Sequence, residues 1–116
     1  MSLMYLSLGS NLNERYTNLQ RAVAKLGEIY SITAISPVYA SEPWGDVDQP
    51  RFLNLCLAAA THQSPHEVLR QIKAIEGALG RQPSRHWGPR VIDIDILFYD
   101  RLILSDEELT IPHPYI

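Results

Sequence analysis

An α+β domain with the element order β-α-β-β-α-β is the fold that this 116-residue sequence predicts, and three observations predict it. Two segments carry apolar residues at helical spacing, several short runs carry the period-two alternation of strands, and Gly or Pro punctuates nearly every junction between them. The length suits one domain with a single modest core.

Taken in order, Met4–Leu8 alternates weakly and reads as a first strand, stopped by Gly9-Ser10-Asn11, with Met1-Ser2-Leu3 given no structural weight. From Asn13 to Leu26 the residues Leu19, Ala22, Val23 and Leu26 fall at i, i+3, i+4 and i+7, which predicts an amphipathic helix ended by Gly27. Residues 30–39 are rich in Ile, Thr, Val and Tyr and read as a strand, with Pro37 pointing to an edge or a bulge. ASEPWGDVDQP, residues 40–50, is a loop whose Trp44 is placed to cover something.

Phe52–Thr61 is the next strand, with Leu53, Leu55 and Leu57 on one face and Phe52, Asn54 and Cys56 on the other. Cys56 itself is expected to act as a small core residue. Ser64-Pro65-His66-Glu67 is a capping box with Pro at the first helical position. The helix that it opens carries Val68, Leu69, Ile72, Ile75 and Leu79 and ends at Gly80. After a basic loop come the strand Val91–Phe98 and a short hairpin partner around Leu102–Leu104. The order matches the ferredoxin-like split βαβ arrangement, an antiparallel sheet with both helices on one face. That fold hosts many functions.

Composition narrows the class. Apolar residues make up 46% and charged residues 20%, an ordinary globular balance. No apolar run nears the roughly 18 residues of a membrane span, and the N-terminus enters a strand pattern with no basic leader. One cysteine rules out an internal disulfide and fits a reducing compartment, so the expected location is cytoplasmic. The net charge of −3 argues against a polyanion-binding surface. Locally, however, GRQPSRHWGPR holds Arg81, Arg85, Arg90 and His86 with no acid, which suits a small anionic ligand.

The chemistry concentrates in RHWGPRVIDIDILFYD, residues 85–100. Period two sends Asp93 and Asp95 to one face, Cα atoms roughly 6.6 Å apart, and Ile92, Ile94 and Ile96 to the other. The aspartates therefore belong on the open face, near the middle of the sheet. Two carboxylates that close repel unless a cation joins them, and Mg²⁺ takes one or two carboxylates plus substrate phosphates. Alone, D-x-D is equally the polar face of a half-solvated strand. The arginines nearby add a phosphoryl-transfer reading, against which stands a surface loop of solvated charges. Phe52 and Asn54, if on the open face beside Trp44, could line a slot for a flat heterocycle or simply form a minor cluster. His62 and His66 look solvated, and His113 between two prolines is held where it could reach a phosphate. No Walker loop or zinc spacing is present.

LGSNL at 8–12, DQPRFLN at 48–54, ALGR at 78–81, HWGPRVIDIDIL at 86–97 and LTIPHP at 109–114 occur in order. Together they resemble the 6-hydroxymethyl-7,8-dihydropterin pyrophosphokinase family of folate biosynthesis, over essentially the whole chain. The resemblance implies pyrophosphate transfer from ATP to the pterin's hydroxymethyl group, with AMP released. It implies that Asp93 and Asp95 hold two Mg²⁺ ions and that Arg81 and Arg90 complete the catalytic set. It implies pterin contacts from Ser41, Pro43, Trp44, Phe52 and Asn54. ATP contacts are implied for Lys73, Glu76, Arg81, Arg85, Arg90, Ile96, Thr110 and His113.

Three departures accompany it. Pro83 stands where the family has a second loop arginine, leaving Arg85 to act from a shifted position, and His86 stands where arginine is usual. The sequence also ends at Ile116, ahead of the family's R-x-F segment and last strand. The expectation is thus a single domain over 1–116, a C-terminally short form. The resembled family is monomeric; a short form could cover its sheet edge by dimerising. Its partners would be ATP and a hydroxymethyl dihydropterin, with no nucleic acid and no membrane. Two other classes compete: a pterin- or nucleotide-binding module without catalysis or with a different pterin, and an RNA-binding domain of the same element order. The third strand of such an RNA-binding domain presents stacking aromatics and basic residues, which this strand lacks.

Overall fold

A computed structural model describes residues 1–43, 48–81 and 90–114. Its elements are β1 (Ser2–Ser10), α1 (Arg15–Gly27), β2 (Ser31–Ile35), β3 (Tyr39–Ser41), β4 (Phe52–Thr61), α2 (Pro65–Ala78), β5 (Asp93–Tyr99), β6 (Leu104–Ser105) and β7 (Thr110–Ile111). The main sheet is antiparallel in the order β2-β4-β1-β5, with β3 also paired to β4. The fold is α+β, two helices on an antiparallel sheet.

One face of the sheet supplies Met4, Leu6 and Leu8 of β1, Leu55, Leu57 and Ala59 of β4, and Ile94 and Ile96 of β5. Leu19, Ala22 and Leu26 of α1 and Val68, Ile72 and Ile75 of α2 pack into the same cluster, so both helices cover that face. The period-two pattern thereby sends Asp93, Asp95, Asn54 and Phe52 to the other, uncovered face. Among the described residues no helix is long and apolar enough to cross a membrane.

The helix ends follow local chemistry. Ser64 Oγ accepts the Glu67 N–H and the Glu67 carboxylate accepts the Ser64 N–H, completing the expected capping box. Gly80, at φ +96°, takes the left-handed position after α2 that a side chain would resist. Helix α1 starts at Arg15, later than the spacing suggested, because Asn13 sits at φ 61°, outside helical space. Its Asn18 turns back instead, donating to Ser10 Oγ at 3.1 Å and to the Leu12 carbonyl at 3.0 Å.

Several expectations are corrected. Ser2 and Leu3 belong to β1, where Leu3 exchanges hydrogen bonds with Asp100. The strand over 30–39 is two strands, because Pro37 has no N–H and Ser36 bonds Cys56 through both its backbone and its hydroxyl. Leu104–Ser105 pairs with Thr110–Ile111 and not with β5. The Asp106 carboxylate accepts the Glu108 and Leu109 N–H groups, a turn that closes its own hairpin. Cys56 lies half-buried on the open face, with Sγ 3.7 Å from the Tyr39 hydroxyl, because its parity is opposite to that of Leu55 and Leu57. His66 is not simply solvated, its Nε2 lying 2.7 Å from Asp106 Oδ2. Finally, β5 is an outer strand of the described sheet, which places the two aspartates at its edge rather than its middle.

Candidate active site

The edge position of β5 decides how the site is built. Among the described residues no strand lies beyond it, and the Ile94 N–H is accepted by Glu76 Oε2 of α2 at 2.8 Å. Glu76 is only 5% exposed, and burial pushes its carboxyl above the usual range against the pull of the Ile94 N–H and Arg81. Arg81, just past α2, donates through Nη1 to Glu76 Oε2 at 2.6 Å and to Asp93 Oδ1 at 3.1 Å. A helix acid, a loop arginine and a strand acid thus form one network around the edge of the sheet.

Asp95 stands beside Asp93 on the open face. Burial raises its pKa from 3.8 to about 7, helped by the negative charge and hydrogen bond of Asp93. His113 approaches from the other side, Nε2 3.5 Å from Asp95 Oδ1. Its backbone N–H, donated to the Leu97 carbonyl at 3.0 Å, fixes it against β5. Burial lowers the His113 pKa, opposed by the charge of Asp93.

A cavity of about 310 Å³ opens between α2, β5 and the hairpin of β6 and β7. Leu69, Ile72, Ile96 and Leu109 give it apolar wall; Lys73, Glu76, Arg81, Asp93, Asp95, Glu108, Thr110 and His113 give it charge and polarity. Every expected ATP-side residue among the described ones except Arg90 lines it. Arg85 and Trp44 lie outside the described residues.

Across the sheet, Asn54 donates through Nδ2 to Ser41 Oγ at 2.8 Å and to the Tyr39 carbonyl at 3.3 Å. Phe52 pairs in register with Ser41, and Pro43 is buried close by in sequence. Between this group and the aspartates lies Gly9, the register partner of both Asp93 and Asn54. A Cβ on Gly9 would come within 3.0 Å of Asn54 Oδ1 and 3.2 Å of Phe52 Cδ1. Without a side chain, Gly9 is buried beneath Asn54 Oδ1 and the Phe52 ring, which close over its backbone. The strip of open face from Asn54 across Gly9 to Asp93, the trough, spans two strand spacings or roughly 10 Å.

Sequence reasoning missed Gly9 and Glu108 as site components. Gly9 sits in the LGSNL stretch, which read as a strand stop and as part of the family resemblance, with no role given to the glycine. Glu108 lines the cavity by virtue of a hairpin that the sequence pattern placed elsewhere.

The carboxylate pair fits a hard cation. Burial, with the charge of Asp93 added, raises the Asp95 pKa to about 7, and a divalent cation would take the place of the proton it keeps. Among the described residues no cluster of three or more His, Cys, Asp or Glu side chains forms a cage, so the remaining oxygens would come from ligand phosphates.

Residues 5–116 match the family model described as 7,8-dihydro-6-hydroxymethylpterin-pyrophosphokinase. The chain is 43% identical over 116 residues to the 2-amino-4-hydroxy-6-hydroxymethyldihydropteridine pyrophosphokinase of Aquifex aeolicus, covering all of this chain and 72% of that protein. To the same-named protein of Methylorubrum extorquens it is 44% identical over 118 residues, covering all of this chain and 75% of the relative. For the Bacillus subtilis protein of that name the figures are 39% over 115 residues, 97% and 69%. On this agreement of sequence and family model, the chain belongs to the 7,8-dihydro-6-hydroxymethylpterin-pyrophosphokinase family.

Proposed function

We propose that the chain transfers the β,γ-pyrophosphoryl group of ATP to the hydroxymethyl oxygen of 6-hydroxymethyl-7,8-dihydropterin, as a step of folate biosynthesis. The new bond joins that oxygen to the β-phosphorus; the bond from the β-phosphorus to the oxygen bridging it to the α-phosphorus breaks, AMP leaves, and the hydroxyl proton is lost. The observation that carries this reading is the single trough of Asp93, Gly9 and Asn54. It links a cavity of nucleotide character to an amide and an aromatic ring across an open sheet face.

In this reading Leu69, Ile72 and Ile96 take the adenine, with Thr110 at its edge and Lys73 toward the ribose and phosphates. The Glu76 carboxylate holds the Arg81 guanidinium at Asp93, so that a cation stands ready where phosphate charge develops. Arg90 adds charge, Arg85 is assigned an ATP contact on the family resemblance, and His113 meets a phosphate oxygen from the side of Asp95. Asp93 and Asp95 are the ligands for Mg²⁺, two ions in the full complex. When bound, Mg²⁺ supplies Lewis-acid polarisation of the phosphates and a lowered pKa at the attacking hydroxyl.

On the pterin side, Asn54 Nδ2 is engaged by Ser41 and Tyr39, which turns Oδ1 toward the trough as an acceptor for the pterin's amino edge. Phe52 stacks on the ring, Ser41 and Pro43 line the slot, and Trp44 is assigned a pterin contact on the family resemblance. No protein nucleophile is required: the two substrates are held in line and the charge is stabilised in place. The sheet order, with β2 and β3 counted as one interrupted strand, is the one expected of a ferredoxin-like domain, and we assign it so. We place its activity in the cytoplasm, with residues 1–116 forming one domain.

AMP release from ATP and Mg²⁺ with 6-hydroxymethyl-7,8-dihydropterin tests the proposal, with Asp95→Ala alongside. The expected result is AMP from the parent and none from the variant. A folded parent that binds ATP yet releases no AMP would instead indicate a binding protein or another pterin substrate.

A further inference from the structure

Asn11 directly follows β1, and none of the roles above uses it. It is fully buried. Its Oδ1 accepts the Arg90 N–H at 2.7 Å, and its own backbone N–H donates to the Arg90 carbonyl at 3.0 Å. Its Nδ2 donates to Gln49 Oε1 at 2.9 Å and to the Pro50 carbonyl at 3.1 Å. One side chain thereby joins segments 38 and 79 residues away along the chain.

Gln49, Pro50 and Arg90 all lie outside helices and strands, so these bonds set no sheet register and cap no helix. What they fix is loop backbone. Pro50 stands two residues before Phe52, and Arg90 three residues before Asp93. The amide is suited to this because it is both acceptor and donor: the Arg90 side needs an acceptor, and the Pro50 carbonyl needs a donor. A buried amide that lost either partner would leave a backbone group unsatisfied, so the clasp holds both segments or strains both.

From this geometry we infer that Asn11 is a positioning residue, clasping the pterin-side and phosphate-side segments to the end of β1 and thereby setting their separation across the trough. The inference rests on the pyrophosphokinase reading above. Asn11 touches neither substrate; it acts through the backbone of Arg90 and through residues 49–50.

Two variants separate the arms of the clasp. Asn11→Asp keeps the acceptor for the Arg90 N–H, so that side stays in place. Its second oxygen faces Gln49 Oε1 and the Pro50 carbonyl with at most one proton where the amide offered two, and the segment leading to Phe52 shifts. The expected result is a pterin KM raised by roughly tenfold with Mg-ATP affinity held within about twofold, since small misplacements cost this much at a positioned substrate. Asn11→Ala should weaken both substrates and release the Arg90 amide to hydrogen exchange. Asn11→Asp is isosteric and keeps the test alive if Asn11→Ala does not fold.

A residue that merely supports the fold would lower Tm and leave the two substrate constants unsplit. Parental constants in Asn11→Asp, or equal changes in both, would overturn the inference. Exchange is measured on the free protein, which keeps the two readings apart. A parent that makes no AMP but protects the Arg90 amide, with protection lost in Asn11→Ala, would sink the pyrophosphokinase reading and leave the clasp standing. An active parent whose Arg90 amide exchanges as fast as that of Asn11→Ala would sink the clasp alone.

Discussion

Glu76 accepts the Ile94 N–H at 2.8 Å, so a helix side chain occupies the place that a neighbouring strand would take along β5. The same oxygen carries Arg81 to Asp93. Glu76→Gln keeps an acceptor for Ile94 but removes the charge that holds Arg81. The fold should survive, and ATP affinity should fall. Glu76→Ala should also destabilise the protein by about 1–3 kcal/mol, the cost of a buried donor left without its partner. Denaturant unfolding beside calorimetric ATP titration would separate the two effects; Glu76→Ala at parental stability would show the Ile94 bond to be dispensable.

Asp95 makes stability depend on pH in a definite direction. Its folded pKa of about 7 lies above the ordinary 3.8, so the folded protein keeps a proton that the unfolded chain loses. The stabilisation is complete below about 4 and lost as pH rises through about 7. The side chain is 37% exposed, so screening makes the effect smaller than the full shift would imply. Glu76 adds a slope of the same sign and His113 one of the opposite sign, so the comparison must be with Asp95→Asn. In EDTA, that variant should gain several degrees in Tm over the parent at pH 8 and little at pH 4. An identical pH profile in the two proteins would contradict the assignment.

Adding Mg²⁺ and an ATP analogue near pH 6.5 should release a proton, because cation binding displaces the one held by Asp95. Calorimetry in buffers of different ionisation enthalpy reads the number released. The release should vanish in Asp95→Asn.

Gly9→Ala places a methyl group 3.0 Å from Asn54 Oδ1 and 3.2 Å from the Phe52 ring. Both must move, and the pterin loses its amide and its stacking partner together. A rise of roughly tenfold in pterin KM is expected, with Mg-ATP affinity unchanged. Equal losses for both substrates would mean that Gly9 serves the sheet rather than the trough.

Asp106 holds the hairpin wall of the cavity by accepting the Glu108 and Leu109 N–H groups and by pairing with His66. Those backbone bonds depress its pKa, so what it contributes is present above the ordinary carboxylate value and lost on acidification. Asp106→Ala should speed hydrogen exchange at Glu108 and Leu109 and raise the KM for ATP, leaving that for the pterin alone.

Much of this was legible in the residues themselves. The i, i+3, i+4, i+7 pattern and the Ser64–Glu67 capping box determined the helices, and parity along β5 determined that Asp93 and Asp95 face away from the core. These are local rules, readable wherever a period or a cap is written in consecutive residues. Parity also separates Cys56 from Leu55 and Leu57, and a core role for it overlooked that rule.

What only the tertiary structure decided is everything that depends on which strand is outermost and which distant groups meet. Glu76 reaching Ile94 and Asn11 joining Pro50 to Arg90 are pairings across 18 to 79 residues, and Gly9 stands between Asn54 and Asp93 by the register of three strands. Hydrogen bonds of that kind leave no period in the sequence, because each is a single contact whose partners are brought together only by packing the core.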